Sequence, residues 1–213
     1  MKKILKKLLI LLFLLFLYVF ISAQSYVVAI SNNLSDAVFR LHVIANSDSD
    51  NDQQLKLKVR DKLLEYMNEI CASCTTKEEA ISIAKEHKSE FKNIAEKTIL
   101  ENGYTYSINI NIDNFYFPTK NYGDISLPAG IYDALRVEIG EAKGQNWWCV
   151  MFPSLCFIDV SDGIVDEEAK DNLEENLSNE AFNIISDKKD SNFKFKFKLI
   201  EFFAEKRLFT AKN

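Results

Sequence analysis

The chain has 213 residues, with 26 lysines and arginines against 31 aspartates and glutamates, a net charge of −5 at pH 7. Setting aside Lys2, Lys3, Lys6 and Lys7, which open an export segment, leaves 22 basic against 31 acidic side chains, a balance of −9. That excludes a protein built to grip nucleic acid or an anionic membrane surface, and about 190 remaining residues suffice for one domain with a real core.

Those four lysines precede an uninterrupted apolar run from Leu8 to Ile21, so residues 1–23 read as a signal peptide or a membrane anchor. Ile21-Ser22-Ala23 ends in a small residue suited to cleavage before Gln24. A retained anchor is the alternative, because Tyr26 to Ile30 is apolar again and extends the span to about 20 residues. In both cases the lysines stay on the cytoplasmic side and the rest is carried out. Residues 24–35 are expected as a linker and 36–213 as a single extracytoplasmic domain.

Residues 38–45, VFRLHVIA, alternate loosely and are rich in β-branched and aromatic types, which predicts a strand ended by the NSDSDND turn. A helix follows from Asp52 to Ile70, with Leu55, Val59, Leu63, Met67 and Ile70 on one stripe and Asp50 and Gln53 in capping-box spacing. Thr76 and Glu79 form a second capping box, and Ala80, Ala84, His87, Phe91, Ile94, Thr98 and Ile99 trace a helix that Gly103 ends. Tyr104, Tyr106, Ile108, Ile110 and Ile112 alternate with polar residues as a half-buried strand does. Gly123, Pro128 and Gly130 mark an ordered connection that is not helical.

Strands are expected at Tyr132 to Ile139 and Trp147 to Met151, joined by a turn between Gly140 and Gly144. Pro153 breaks the second, which resumes at Leu155 to Ile158. A helix fits residues 167–185, with Ala169, Leu173, Leu177, Ala181 and Ile184 as its stripe. Phe193, Phe195, Phe197 and Leu199 alternate with lysines as an edge strand does, and the tail from Ile200 to Leu208 is ambiguous. The order β-α-α-β-β-β, then a helix and a C-terminal strand, predicts an α+β fold: a mostly antiparallel sheet packed against two N-terminal helices. Residues 36–160 form its main part and 161–213 a variable C-terminal part.

Candidate chemistry is sparse. Asp48, Asp50 and Asp52 alternate as in a calcium loop, but the required glycine is missing and Val59 stands where the bidentate glutamate belongs. They read instead as acids complementing a helix N-terminus. Cys71 and Cys74 form a lone CxxC after a helix, where the carbonyl end disfavours a thiolate, so ordinary thiols are expected there. A hairpin about Phe152 and Pro153 would set Cys149 opposite Cys156. That permits a disulfide, although two cysteines packed as small hydrophobes are the commoner outcome. His42 and His87 stand near no nucleophile motif; His42 faces the same side as Arg40, and His87 lies on a helix stripe. No catalytic set and no cofactor or metal motif emerges.

Both tryptophans fall in GQNWWCVMFPSLCFID, residues 144–159. Adjacent Trp147 and Trp148 point to opposite faces of an extended segment, so one can enter a core and the other meet a partner.

Three runs, HVIANSDSDNDQQLKLKVRD from His42, YGDISLPAGIYDALRVEIG from Tyr122 and GQNWWCVMFPSLCF from Gly144, together resemble the stage II sporulation protein R family. The resemblance covers residues 36–160 and departs at Ser154, where the family pattern carries a second proline. It implies a non-enzymatic signalling protein of endospore formers, exported from the forespore into the intermembrane space or anchored to the forespore membrane facing it. There it would activate a membrane-embedded aspartic-type protease that processes the early mother-cell sigma factor precursor. Asn46, Ser47, Asp48, Gln145, Asn146, Trp147 and Trp148 are the candidate partner contacts. An exported cell-wall or peptide hydrolase using His42 and an aspartate is the alternative.

Overall fold

The computed structural model of the chain describes residues 2–154, 167–186, 198 and 200. The loose alternation of VFRLHVIA has a simple cause: strand β1 (Phe39–Ile44) is buried along its whole length, and a strand covered on both faces needs no polar side. It lies inside a four-stranded sheet of order β2-β5-β1-β6, formed with β2 (Ile108–Phe117), β5 (Gly130–Ile139) and β6 (Asn146–Phe152). β1 runs parallel to β5 and antiparallel to β6, while β2 and β5 pair antiparallel. The α+β class and the mostly antiparallel sheet are as expected.

One face of the sheet carries Phe39, Leu41 and Val43 against helices α2 (Asp50–Ile70), α3 (Lys77–Glu86) and α4 (Lys88–Glu101). Leu55, Val59, Leu63 and Met67 of α2 are at most 2% exposed, each adding roughly 1.5–3 kcal/mol of burial. The helix predicted through Ile99 is two helices, because His87 closes α3 through its amide to the Ile83 carbonyl (2.9 Å) and starts α4 by accepting from the Phe91 amide (3.1 Å). The Thr76–Glu79 capping box is present. α2, by contrast, begins at Ser49, whose hydroxyl accepts from the Asp52 amide.

The second face carries a layer that periodicity did not reveal. Helix α1 (Lys2–Ala37) is continuous from the export segment, and Val27, Ile30, Leu34 and Ala37 are buried along one stripe. Residues 24–35 are therefore helical and docked where a linker was expected. They meet Phe117, Tyr132, Ala134 and Val150 of the sheet. The hairpin of β3 (Lys120–Tyr122) and β4 (Ile125–Leu127) joins them, as do α5 (Glu167–Glu175) and α6 (Asn179–Ser186). The helix expected over 167–185 breaks at Ser178, whose hydroxyl accepts from the Ala181 amide (3.2 Å) and donates to Asn33 Oδ1 of α1 (3.0 Å). The strand expected at Leu155 to Ile158 lies outside the described residues. So does that at Phe193 to Leu199, except for Lys198, which is helical like Ile200.

Cys71 and Cys74 are not free thiols but a disulfide. The turn that ends α2 brings their Cα atoms to 5.0 Å, within bridging range.

Candidate functional site

Two turns meet at one end of the sheet: residues 45–49, between β1 and α2, and residues 140–144, between β5 and β6. The Gly144 amide donates to the Ala45 carbonyl (2.9 Å) and the Lys143 amide to the Asn46 carbonyl (3.2 Å). Gly144 has to be glycine, because a Cβ there would press into the Ser47 carbonyl and approach Ala45 Cβ to 2.9 Å. Gly140 adopts a positive φ of 57° with its α-carbon against the Asn46 carboxamide.

Asp52, only 4% exposed, gathers this corner. Its carboxylate accepts from Asn46 Nδ2 at 2.9 Å and Ser47 Oγ at 2.5 Å. Burial pushes this carboxyl's pKa up, but hydrogen bonds from Ser47, Asn46, Tyr106 and Ser49 together outweigh it and hold the group below its ordinary value. Asn46 Oδ1 in turn accepts from the Glu141 amide (3.0 Å). Gln53 donates to the Ser47 carbonyl (2.8 Å), and buried Lys56 donates to Gln53 Oε1 (2.5 Å) and the Gln145 carbonyl (3.0 Å). Burial, with Arg60 nearby, lowers the Lys56 pKa against the pull of Asp48.

The tryptophans divide between the two faces, and both are half-buried. Trp147 packs on the α2–α4 side with the Arg60 guanidinium 4.2 Å from its ring. Trp148 lies on the other face, stacked on His42 at 3.7 Å and edge-on to Phe117 at 4.8 Å. His42 Nε2 donates to Asn146 Oδ1 (2.7 Å), an oxygen that can only accept. Burial is the main cause that pulls the His42 pKa down to about 4, with Arg136 and Arg40 adding to it and the Asn146 bond and Glu138 opposing it. His42 is therefore neutral at physiological pH.

Beside His42 on the same face, Arg40 is fully buried. Its guanidinium sits 4.0 Å from the Phe117 ring and 4.8 Å from that of Tyr132, donates to Tyr122 Oη at 2.5 Å, and has no carboxylate partner among the described residues. Aromatic faces replace the counter-ion.

Among the described residues, the helical layer on the second face reaches as far as this arginine, and Trp148 covers His42 beyond it. Towards the corner, Asn109, Asn111 and Asn146 are exposed, and Arg136 pairs with Glu138 (2.7 Å), which also accepts from Asn109 (2.9 Å). Of the seven sequence candidates, Asn46 and Ser47 hold the two turns together, while Asp48, Gln145 and Asn146 are exposed around them. Trp147 is on the opposite face from Trp148. Cys149 is disulfide-bonded and not a free thiol; Cys156, which a hairpin would set opposite it, lies outside the described residues. Sequence reasoning missed Asp52 as the hub, Lys56 and the Arg136–Glu138 pair; the one available signal was an acid inside the first turn of α2.

These features define an α+β domain that follows an N-terminal helix apolar enough to cross a membrane, with a rigid polar corner at one end of its sheet. Residues 35–162 match the family model described as stage II sporulation protein R, and the chain belongs to that family, which gives it a role in sporulation. Stage II sporulation protein R of Bacillus subtilis (strain 168) is similar to it, 41% identical over 138 residues. The match covers 65% of this chain and 62% of the relative's length. No solved structure matches the chain.

Proposed function

We propose that this protein is an exported, non-enzymatic signal that activates a membrane-embedded aspartic-type protease. That protease in turn processes the early mother-cell sigma factor precursor. The contact surface is the open end of the second sheet face, with Trp148 and Asn146 at its centre and Asp48 and Gln145 at its rim. Asn46 and Ser47 shape it. The observation that carries this assignment is the state of Trp148: a half-buried tryptophan locked flat on a buried histidine, beside an asparagine whose oxygen that histidine holds. Such a side chain offers a large contact area with its rotamer already fixed, as binding hot spots do. Activation follows if this surface binds one state of the protease better than the other.

A hydrolase built on His42 is disfavoured by its surroundings. Its bonded nitrogen faces an asparagine where a carboxylate or nucleophile would serve, and its low pKa leaves a weak base.

Co-expression of this chain with the protease and its precursor tests the proposal by precursor cleavage. Trp148→Ala is expected to lower cleavage at least about tenfold, as loss of a hot spot near 2 kcal/mol does. Gln145→Arg, on an exposed side chain, lowers it with stability unchanged. Full cleavage by both variants at normal protein levels would remove this surface from the mechanism.

A further inference from the structure

Strand β2 forms one edge of the sheet, and two hydrogen bonds fix which way its backbone groups point. The Gly140 amide donates to the Ser107 carbonyl (2.8 Å), so Ser107 faces β5. Backbone groups in an antiparallel ladder change sides from one residue to the next, so Asn109 and Asn111 also face β5 while Ile108, Ile110, Ile112 and Asn114 face outward. The Asn114 amide agrees, because it donates to Asp113 Oδ1 (2.8 Å) and not to a β5 carbonyl. Among the described residues, no strand pairs with this outward edge.

Edge strands are normally guarded by lysine, proline or a bulge. Residues 108–112 have none of these: the run is ININI, uncharged and in unbroken register with β5. Its isoleucines pack on the helix-covered face, while Asn109 and Asn111 are exposed on the other. Exposed apolar area also collects on this side of the domain. Outside α1, the large apolar side chains exposed among the described residues are Leu100, Tyr116 and Ile131, which belong to β2, to its neighbour β5 and to α4, the helix packed against β2. Such a concentration marks contact surfaces.

The run reads the same in both directions, so its best-matched partner is itself. We propose that two copies of this chain pair antiparallel through β2, centred on Ile110, and join their four-stranded sheets into one. The contact is isologous, each copy offering the other the same residues. Isoleucine lies beside isoleucine on one face and asparagine beside asparagine on the other. Ile108, Ile110 and Ile112 each exchange both backbone bonds with their opposite residue, about six hydrogen bonds in all. Asn109, whose Nδ2 is given to Glu138 (2.9 Å), accepts through Oδ1 from Asn111 of the second copy. The twofold axis stands normal to the sheet and reverses α1, so the pair forms between chains free to turn over relative to each other, not between two held side by side in one bilayer. The inference does not rest on the protease reading, because Asn146 and Trp148 belong to β6 at the opposite edge.

The test takes the chain as a bacterial host makes it, purified in mild detergent, and weighs it by sedimentation with the bound detergent subtracted. Two copies per particle are expected. Asn109→Lys combined with Asn111→Lys, on exposed side chains, sets like charges directly opposite across the contact and should weaken the pair roughly tenfold or more with an unchanged circular dichroism spectrum. Disulfide trapping reads the register. Residues 109 and 111 face each other at non-hydrogen-bonded positions, where Cα atoms lie about 4.5 Å apart, within bridging range. Asn109→Cys mixed with Asn111→Cys should therefore cross-link on mild oxidation, and Asn109→Cys alone should not. A parent with one copy per particle, a pair that the two lysines leave intact, or cross-linking by Asn109→Cys alone would each overturn the proposal.

Discussion

His42 makes stability depend on pH in a direction that can be calculated. Its folded-state pKa is about 4 against about 6.5 for an unperturbed histidine. Between those values the unfolded chain binds the proton and the folded chain does not, so stability is fully present above pH 6.5 and is lost as pH falls towards 4. From pH 7.5 to pH 5 the loss from this residue is about 2 kcal/mol, at 1.36 kcal/mol per pH unit below 6.5. The charged groups acting on it are Arg40 on its own strand and Arg136 and Glu138 on β5. His42→Phe keeps an aromatic ring under Trp148 and removes the titration, and its lost bond reaches an exposed asparagine that water can serve. Guanidinium unfolding of the detergent-solubilised chain by far-UV circular dichroism gives the comparison. The parent should lose about 2 kcal/mol more than His42→Phe between the two pH values. His87, the other histidine, is present in both proteins and cancels. Equal losses in parent and variant would refute burial as the control of His42 and would leave it a solvent-accessible base.

Asp52→Ala strips the acceptor from Asn46 and Ser47 and should cost about 3 kcal/mol, since hydrogen bonds to a buried charge are worth about 1.5–3 kcal/mol each. Added to Asp52→Ala, Ser47→Ala should cost almost nothing more in the same unfolding measurement, because the pair acts as one unit. The lowered carboxyl pKa of Asp52 gives stability that is present above the ordinary aspartate range and lost as pH falls below it. The Asp52→Ala variant should therefore be less acid-sensitive than the parent below about pH 4. Gly144→Ala forces a methyl into the Ser47 carbonyl and should cost about 2 kcal/mol or more by overpacking, read as a lower thermal midpoint.

How much of this was legible depends on the range of the interaction. The stripes of α2 and the Thr76 cap were readable because helix period and capping act within a few residues. The break at His87 was not, since neither glycine nor proline marks it and Tyr66 Oη, bonded to His87 Nδ1 at 2.6 Å, comes from another helix. The break at Ser178 likewise depends on Asn33, which lies 145 residues earlier in the chain. The opposite orientations of Trp147 and Trp148 followed from strand geometry alone. That both would be half-buried did not, because the second layer over the sheet is built partly from α1, whose residues 26–30 look like more of the apolar run. The run of acids before α2 showed its charge but hid its division of labour: Asp48 is exposed, while Asp52 is buried four residues on.

The two ends of the domain are joined by rigid elements. α1 ends at Ala37, β1 begins at Phe39, and its six residues carry the chain about 20 Å to the corner at Asn46. Apart from Val38, nothing intervenes between α1 and the strand that delivers Asn46 and stacks His42 on Trp148. This assigns different work to the two halves of the sheet's second face. The half covered by α1 and α6 is packed into the domain core. The other half, where Asn109, Asn111 and Asn146 are exposed, carries polar and aromatic side chains whose positions are already set from beneath.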